Sequence, residues 1–305
     1  MNTSRKPRVG LALGSGSARG WAHVGVIRAL EEAGIAPDLV CGTSIGALVG
    51  AAYAAGEIAA FEHWVRRLGV KDVLSFLDVG LSGGMIKGER LTEFFRTNFI
   101  DRPVEALPKP FAAVATALRT GTEVWLREGS TVNAIRASIA LPALFAPVAH
   151  EGRLLVDGGL TNPVPVSLAR AMGADIVIAV DLSSDVLGRH FRGSPEEPET
   201  EAVQASQWHQ MLLAKLGALF PKRPDDTPPA PSVIDVVATS IDIMQVRISR
   251  ARMAGDPPDV VVAPRVAHLG LLDFHRADVA IDEGRRAAEA ALPNLNALFG
   301  QLRQT

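Results

Sequence analysis

The sequence is poor in the features that mark most specialised classes of chain. Its 305 residues hold one cysteine, Cys41, so no internal disulfide can form, which suits a reducing compartment. Charge of one sign is also scarce. Thirty-one Lys and Arg stand against 33 Asp and Glu, a net charge of −2, which removes bulk basicity as a route to nucleic acid. Aromatic residues make up 5%, with one tyrosine, and form no stacking series for a nucleic-acid partner. No apolar run approaches about 18 residues, so no membrane span is expected. The first eight residues are basic like the start of a signal peptide, but the apolar stretch 9–13 is too short to continue one and runs into glycines. The expectation is a cytoplasmic protein with room for peripheral membrane contact.

What remains is ordinary globular bulk. A hydrophobic fraction of 48% and a charged fraction of 21% exclude a wholly disordered chain, a coiled coil and a collagen-like fibre. Residues 9–13 read as a buried strand that ends in Gly14-Ser15-Gly16-Ser17-Ala18-Arg19-Gly20. A helix follows, with Trp21, Val24, Ile27 and Leu30 at helical spacing and Gly34 as a stop. Residues 38–41 form a second strand, 42–46 a second turn and 47–55 a helix of small residues. This repeated strand–turn–helix order predicts an α/β protein, a mostly parallel sheet with helices on both faces. Further strands are expected at 111–118, 123–126, 154–156, 175–180 and 260–263. Helices are expected at 131–140, 164–172, 233–254 and 276–292, and a turn at 80–84. The 193–201 and 221–232 stretches are rich in proline and punctuate an insert, 184–232, expected to be mobile. One amphipathic helix, 208–220, lies inside it and reads as a lid or as a packed surface helix.

Gly42-Thr43-Ser44-Ile45-Gly46 fits G-x-S-x-G between a strand and a helix, the context in which that pattern presents a nucleophilic serine. Glycines two residues either side of Ser44 remove the Cβ atoms that would collide on so sharp a turn. The helix behind it brings a positive dipole end toward developing negative charge. The Gly14–Gly20 loop, again directly after a strand, has three readings. A dinucleotide site wants its third glycine one residue earlier and an acid at the end of the next strand; a P-loop wants Gly-Lys-Ser/Thr. An oxyanion hole needs only backbone N–H donors beside the nucleophile, and two adjacent parallel strands put both turns at one sheet edge. The oxyanion reading is favoured, with Gly16 and Ser17 as donors. The third element is Asp157-Gly158-Gly159. If its strand runs parallel to the first two, Asp157 reaches the same edge. None of the seven histidines has a comparable strand-end position, so a direct Ser44–Asp157 dyad is the simpler constellation.

Together these three motifs resemble the patatin-like phospholipases, in particular the short bacterial members. The resemblance extends to Ala22-His23-Val24-Gly25-Val26, to residues 82–88, to 137–148 and to Asn162-Pro163-Val164-Pro165-Val166. It covers residues 8–182 strongly and 233–292 more weakly. It implies a three-layer α/β/α fold and hydrolysis of an acyl ester by Ser44 and Asp157. The oxyanion loop would comprise Gly14, Ser15, Gly16, Ser17, Arg19 and Gly20. Gly42 and Gly46 would shape the nucleophile turn, and Gly158 and Gly159 the aspartate turn. No metal and no cofactor is implied, and the implied partner is a lipid or acyl-ester substrate; oligomeric state is left open. One departure stands out: Ser15 and Ser17 occupy positions that are often glycine, where a positive φ is harder for serine. Arg19 either steadies the loop or attracts a phosphate headgroup.

The whole chain, 1–305, is thus expected to be one patatin-like domain, its core 8–182 plus 233–292. Two rivals remain. An α/β-hydrolase would use a triad of Ser44, Asp157 or Asp181, and His268 or His275, but only 43 residues precede Ser44, too few for the strands that fold places there. The other is a non-catalytic, regulatory protein on the same fold.

Overall fold

A computed structural model describes residues 6–75, 88–98, 102–142, 144–185 and 233–302. The expected turn at 80–84, the 208–220 helix and all but the first two residues of the 184–232 insert lie outside the described residues.

The chain folds around a sheet of eight strands among the described residues. β1 (Val9–Leu13), β2 (Leu39–Thr43), β3 (Phe111–Ala117), β7 (Ile176–Val180) and β8 (Val260–Val262) run parallel in the order β3-β2-β1-β7-β8. β1, β2, β3 and β7 are buried along their whole length, as near-continuous apolar strands covered on both faces should be. The pleat sends Leu11 and Leu13 into one core with α1 (Ala22–Glu32), α2 (Ile45–Ala54), α3 (Ile58–Val65) and α9 (Ala277–Leu302). Ala12 points the other way, into a smaller core under α7 (Val166–Ala171). The result is three layers, α/β/α.

The remaining strands correct the expectation of a mostly parallel sheet. β4 (Glu123–Leu126), β5 (Val148–His150) and β6 (Arg153–Asp157) are antiparallel to their neighbours, so the sheet is mixed. The physical reason is connection length. β3 returns to β4 through a tight hairpin at Gly121 (φ +66°), and β5 turns into β6 through Glu151 and Gly152, both at positive φ; such short turns join only antiparallel strands. β3 is shared: Val114 pairs with Thr43 of β2 while Ala115 pairs with Asp157 of β6. β4 holds the opposite edge of the same residues, so β2 and β6 arrive end to end along one side of β3.

α1 and α9 interlock through glycine. A Cβ on Gly25 would fall on the Ile281 carbonyl of α9, and one on Gly284 on the Ala22 carbonyl of α1. Neither neighbour is a side chain that could swing aside. Gly25→Ala is therefore expected to cost about 3 kcal/mol by forced overpacking and to lower Tm by about 6–12 °C in a thermal melt. A melt unchanged from wild type would show that the two helices are not locked together.

Candidate active site

Ser44 sits between the last residue of β2 and the first of α2 at φ 56°, ψ −124°, a strained backbone that a short turn between strand and helix imposes. Gly42 and Gly46 make the turn sterically feasible. A Cβ on Gly42 would meet the Gly46 carbonyl, and one on Gly46 the Leu13 carbonyl of β1. The strained turn is held from outside. The Ser44 N–H donates to Ser138 Oγ (2.8 Å), and Ser138 Oγ in turn donates to the Val114 carbonyl (2.6 Å). Ser138 ends α6 (Thr131–Ser138) and is fully buried. Thr43 Oγ1 donates to the Asn162 carbonyl at 2.7 Å. Ser138→Ala would leave the Ser44 amide without its acceptor. The expected result is a loss of about 1–3 kcal/mol in stability together with a roughly tenfold drop in kcat on an ester, read by melting and steady-state assays. A variant that melts lower but keeps full kcat would limit Ser138 to a structural role.

Asp157 ends β6 at the point where that strand meets the end of β2. Ser44 Oγ donates to Asp157 Oδ2 at 2.6 Å, and the Gly159 N–H donates to Oδ1 at 2.7 Å. The Asp157 main chain is pinned too, its N–H to the Ala140 carbonyl and its own carbonyl to Thr116 Oγ1. Asp157 is 1% exposed. Burial pushes its carboxyl up to about 6, against the downward pull of the Ser44 hydroxyl and the Gly159 amide.

The Gly14–Gly20 loop lies beside this pair and passes into a 3₁₀ turn, Ser17–Trp21. Most of its amides are spent on carbonyls: Gly14 on Val180, Ser15 on Pro163, Ala18 on Leu271 and Arg19 on Gly16. The N–H groups of Gly16 and Ser17 have no acceptor among the described residues, and both residues line the cavity that Ser44 faces. Ser17 does take a positive φ, 52°, and its hydroxyl holds that conformation by donating to the Leu271 carbonyl at 2.5 Å. Ser15 is not at positive φ; its hydroxyl donates to Gln245 Oε1 at 2.6 Å.

Arg19 is 8% exposed and committed within the protein. Its Nε donates to the Leu269 carbonyl (2.9 Å) and its Nη1 pairs with Asp242 (3.1 Å). It steadies the loop. His23 is fully buried, with Nε2 against the Gly14 carbonyl at 2.8 Å, and burial lowers its ring to about 4, so it stays neutral. Among the described residues no histidine accepts from Ser44 Oγ, and Asp181 is occupied by Ser183. Cys41 is buried in β2.

Two neighbours of the site are not among the residues singled out from the sequence, Ile45 inside the serine motif and Gln245 far from it. Ile45 heads α2 and lines the same cavity, and its N–H is a third amide with no acceptor among the described residues. The rule that the residue after an elbow nucleophile donates to the oxyanion could have found it. Gln245 lies on α8 (Val233–Gly255), 230 positions from Ser15, and nothing local marks it. The cavity wall itself is apolar, formed by Trp21, Leu48, Trp64, Phe95, Ile139 and Phe274 among others. Among the described residues no group of His, Cys, Asp and Glu could hold a metal ion.

Fold and site thus define an α/β protein with a hydrogen-bonded serine–aspartate pair opening on an apolar cavity. The model of the patatin-like phospholipase family matches residues 11–170, and the chain belongs to that family. It is 34% identical to an uncharacterized NTE family protein of Mycobacterium tuberculosis H37Rv, over 95% of this chain and 92% of that protein. It is 37% identical to patatin-like phospholipase domain-containing protein 6 of Mus musculus, over 58% of this chain but 14% of that one. The fold is similar to that of VipD from Legionella pneumophila, with a TM-score of 0.54 at 15% identity, covering 96% of this chain and 72% of that one.

Proposed function

We propose that the protein hydrolyses acyl esters of lipids through a Ser44–Asp157 dyad. The observation that carries this reading is the 2.6 Å bond to a buried carboxylate from the Oγ of Ser44, a residue that lines an apolar cavity. Asp157 takes the hydroxyl proton as Ser44 Oγ attacks the ester carbonyl carbon. The carbonyl π electrons pass to oxygen, and the oxyanion is met by the N–H groups of Gly16 and Ser17, with Ile45 as a third donor at the positive end of α2. Collapse expels the alkoxide, which leaves as the alcohol with the proton from Asp157. Water then attacks the acyl-enzyme with Asp157 again the base, releasing the fatty acid and restoring Ser44. The acyl chain lies along the cavity's apolar wall, where each buried methylene contributes about 0.8 kcal/mol.

The family supports a lipid substrate, and the occupied Arg19 argues against a phosphate headgroup held by that side chain. The reading extends to one catalytic domain, cytoplasmic and touching membranes peripherally. Among the described residues no helix is long and apolar enough to cross a membrane. A fluorophosphonate probe tests the whole proposal. Wild type should gain the probe mass on Ser44 and hydrolyse esters across a panel of short esters, lysophospholipids, diacyl phospholipids and triglycerides. Failure to label would leave the non-catalytic reading.

A further inference from the structure

The oxyanion loop is braced from a distance by α8, which crosses it with two polar contacts. Arg19 pairs with Asp242, and Ser15 Oγ donates to Gln245 Oε1 at 2.6 Å, both side chains buried, with Ser15 7% and Gln245 8% exposed. The second contact does more than tie a helix to a loop. The Gln245 side chain also lies against the aspartate turn: a Cβ on Gly159 would collide with its Nε2. Gly159 is the residue whose N–H holds Asp157 Oδ1. One amide therefore touches both the loop that carries the Gly16 and Ser17 donors and the turn that carries the base. Gln245 also lines the cavity with Ser44. Two turns further along the same face of α8, Arg252 pairs with Glu123 at 2.6 Å, and Glu123 accepts from Asn162, whose carbonyl holds Thr43.

Resting on the proposed hydrolase reading, we infer that Gln245 is a positioning residue for the reaction, fixing the oxyanion loop against the aspartate turn through the hydroxyl of Ser15. The presence of serine where a glycine would also fit the backbone follows from this. Ser15 has an ordinary φ, so nothing about its conformation requires glycine, and its hydroxyl supplies the handle that Gln245 grips. The pair lies 230 positions apart, so seating α8 completes the loop. Although Gln245 lines the cavity, the contacts it makes are to the loop and the aspartate turn, so the larger effect of its loss falls on the rate of the chemical step.

The test uses the full chain and three variants. Gln245→Met keeps the length and packing of the side chain but removes the acceptor; Ser15→Ala removes the donor; the third carries both changes. Each single change is expected to lower kcat on a medium-chain p-nitrophenyl ester by about 10- to 100-fold with KM within twofold. The double variant should be no worse than either single one, since both remove one contact. In parallel, backbone hydrogen exchange in the 14–20 loop should rise at least about tenfold in Gln245→Met while α1 stays protected. Unchanged kcat, or losses that multiply in the double variant, would overturn the inference. So would a fall in kcat/KM carried wholly by KM. The exchange arm does not depend on turnover. If wild type failed to hydrolyse or label, the hydrolase reading would fall, and loop exchange would still decide whether Gln245 holds the loop; an unchanged loop would then end this inference also.

Discussion

Ser44→Ala abolishes covalent labelling by a fluorophosphonate and lowers ester kcat by about 10⁴-fold or more, with the fold intact. The size follows from what is removed. Without Oγ no acyl-enzyme forms, and only the amides and the cavity remain to stabilise direct attack by water; in serine hydrolases that residue of catalysis lies several orders of magnitude below the intact site. Stability at neutral pH should fall by about 1–3 kcal/mol, because alanine leaves Oδ2 of the buried Asp157 carboxylate without its donor while the Gly159 amide stays on Oδ1. Serine at φ 56° is retained as alanine at the same angle, so the backbone strain is unchanged. Intact-mass spectrometry and a melt decide the matter together. A Ser44→Ala protein that labels like wild type would remove Ser44 as the nucleophile.

Asp157→Asn should be the second inactive variant, down by about 10³- to 10⁴-fold in kcat, yet more stable than wild type at neutral pH. Asparagine keeps an oxygen for the Gly159 N–H and presents its NH₂ to Ser44 Oγ, but it cannot take a proton. The stability argument turns on burial. In the folded protein Asp157 is held at about 6, above the ordinary 3.8. Between those values the native state binds the proton more tightly than the unfolded chain does, so wild-type stability falls as pH rises from about 4 through 6. Above pH 7 the buried carboxylate costs about 3 kcal/mol, which the neutral amide does not incur. The gain in Tm of Asp157→Asn over wild type should therefore be present at pH 8 and vanish near pH 4. The same value sets the rate profile. Asp157 must be ionised to accept the hydroxyl proton, so kcat/KM of wild type should climb with pH through about 6 and level off above 7. A flat profile between pH 5 and 8, or an active Asp157→Asn, would take Asp157 out of the role of base.

Much of the fold is legible in the sequence because its central strands are buried on both faces. Val9–Leu13 and Ile176–Val180 are almost wholly apolar, and each runs into a turn rich in small residues, so both strand and turn show locally. Strand direction does not. Nothing in Arg153–Asp157 distinguishes a strand that runs with its neighbours from one that runs against them, and Asp157 meets Ser44 because β6 runs against β3. The three-residue β5, Val148–His150, is half exposed and has no alternation long enough to register. α9 runs to Leu302, past the expected stop at 292. Pro293 would ordinarily end a helix, but Leu295 is fully buried two residues later and anchors the continuation. At the site, Ser44, Asp157 and the glycine loop are legible because tight turns restrict residue type. Gln245 is not, because a polar residue on a long helix looks the same whether it faces water or a loop 230 positions away.

The lone cysteine has a practical consequence. Cys41 lies on β2 three residues before the nucleophile, Cys41-Gly42-Thr43-Ser44, with Sγ donating to the Pro165 carbonyl at 3.3 Å and burial pushing its thiol far up. A chain with a single sealed thiol carries its own clock. Its reaction with a small disulfide reagent can proceed only when β2 parts from α7, so the modification rate counts openings of the strand that leads into the serine turn, without any label being introduced.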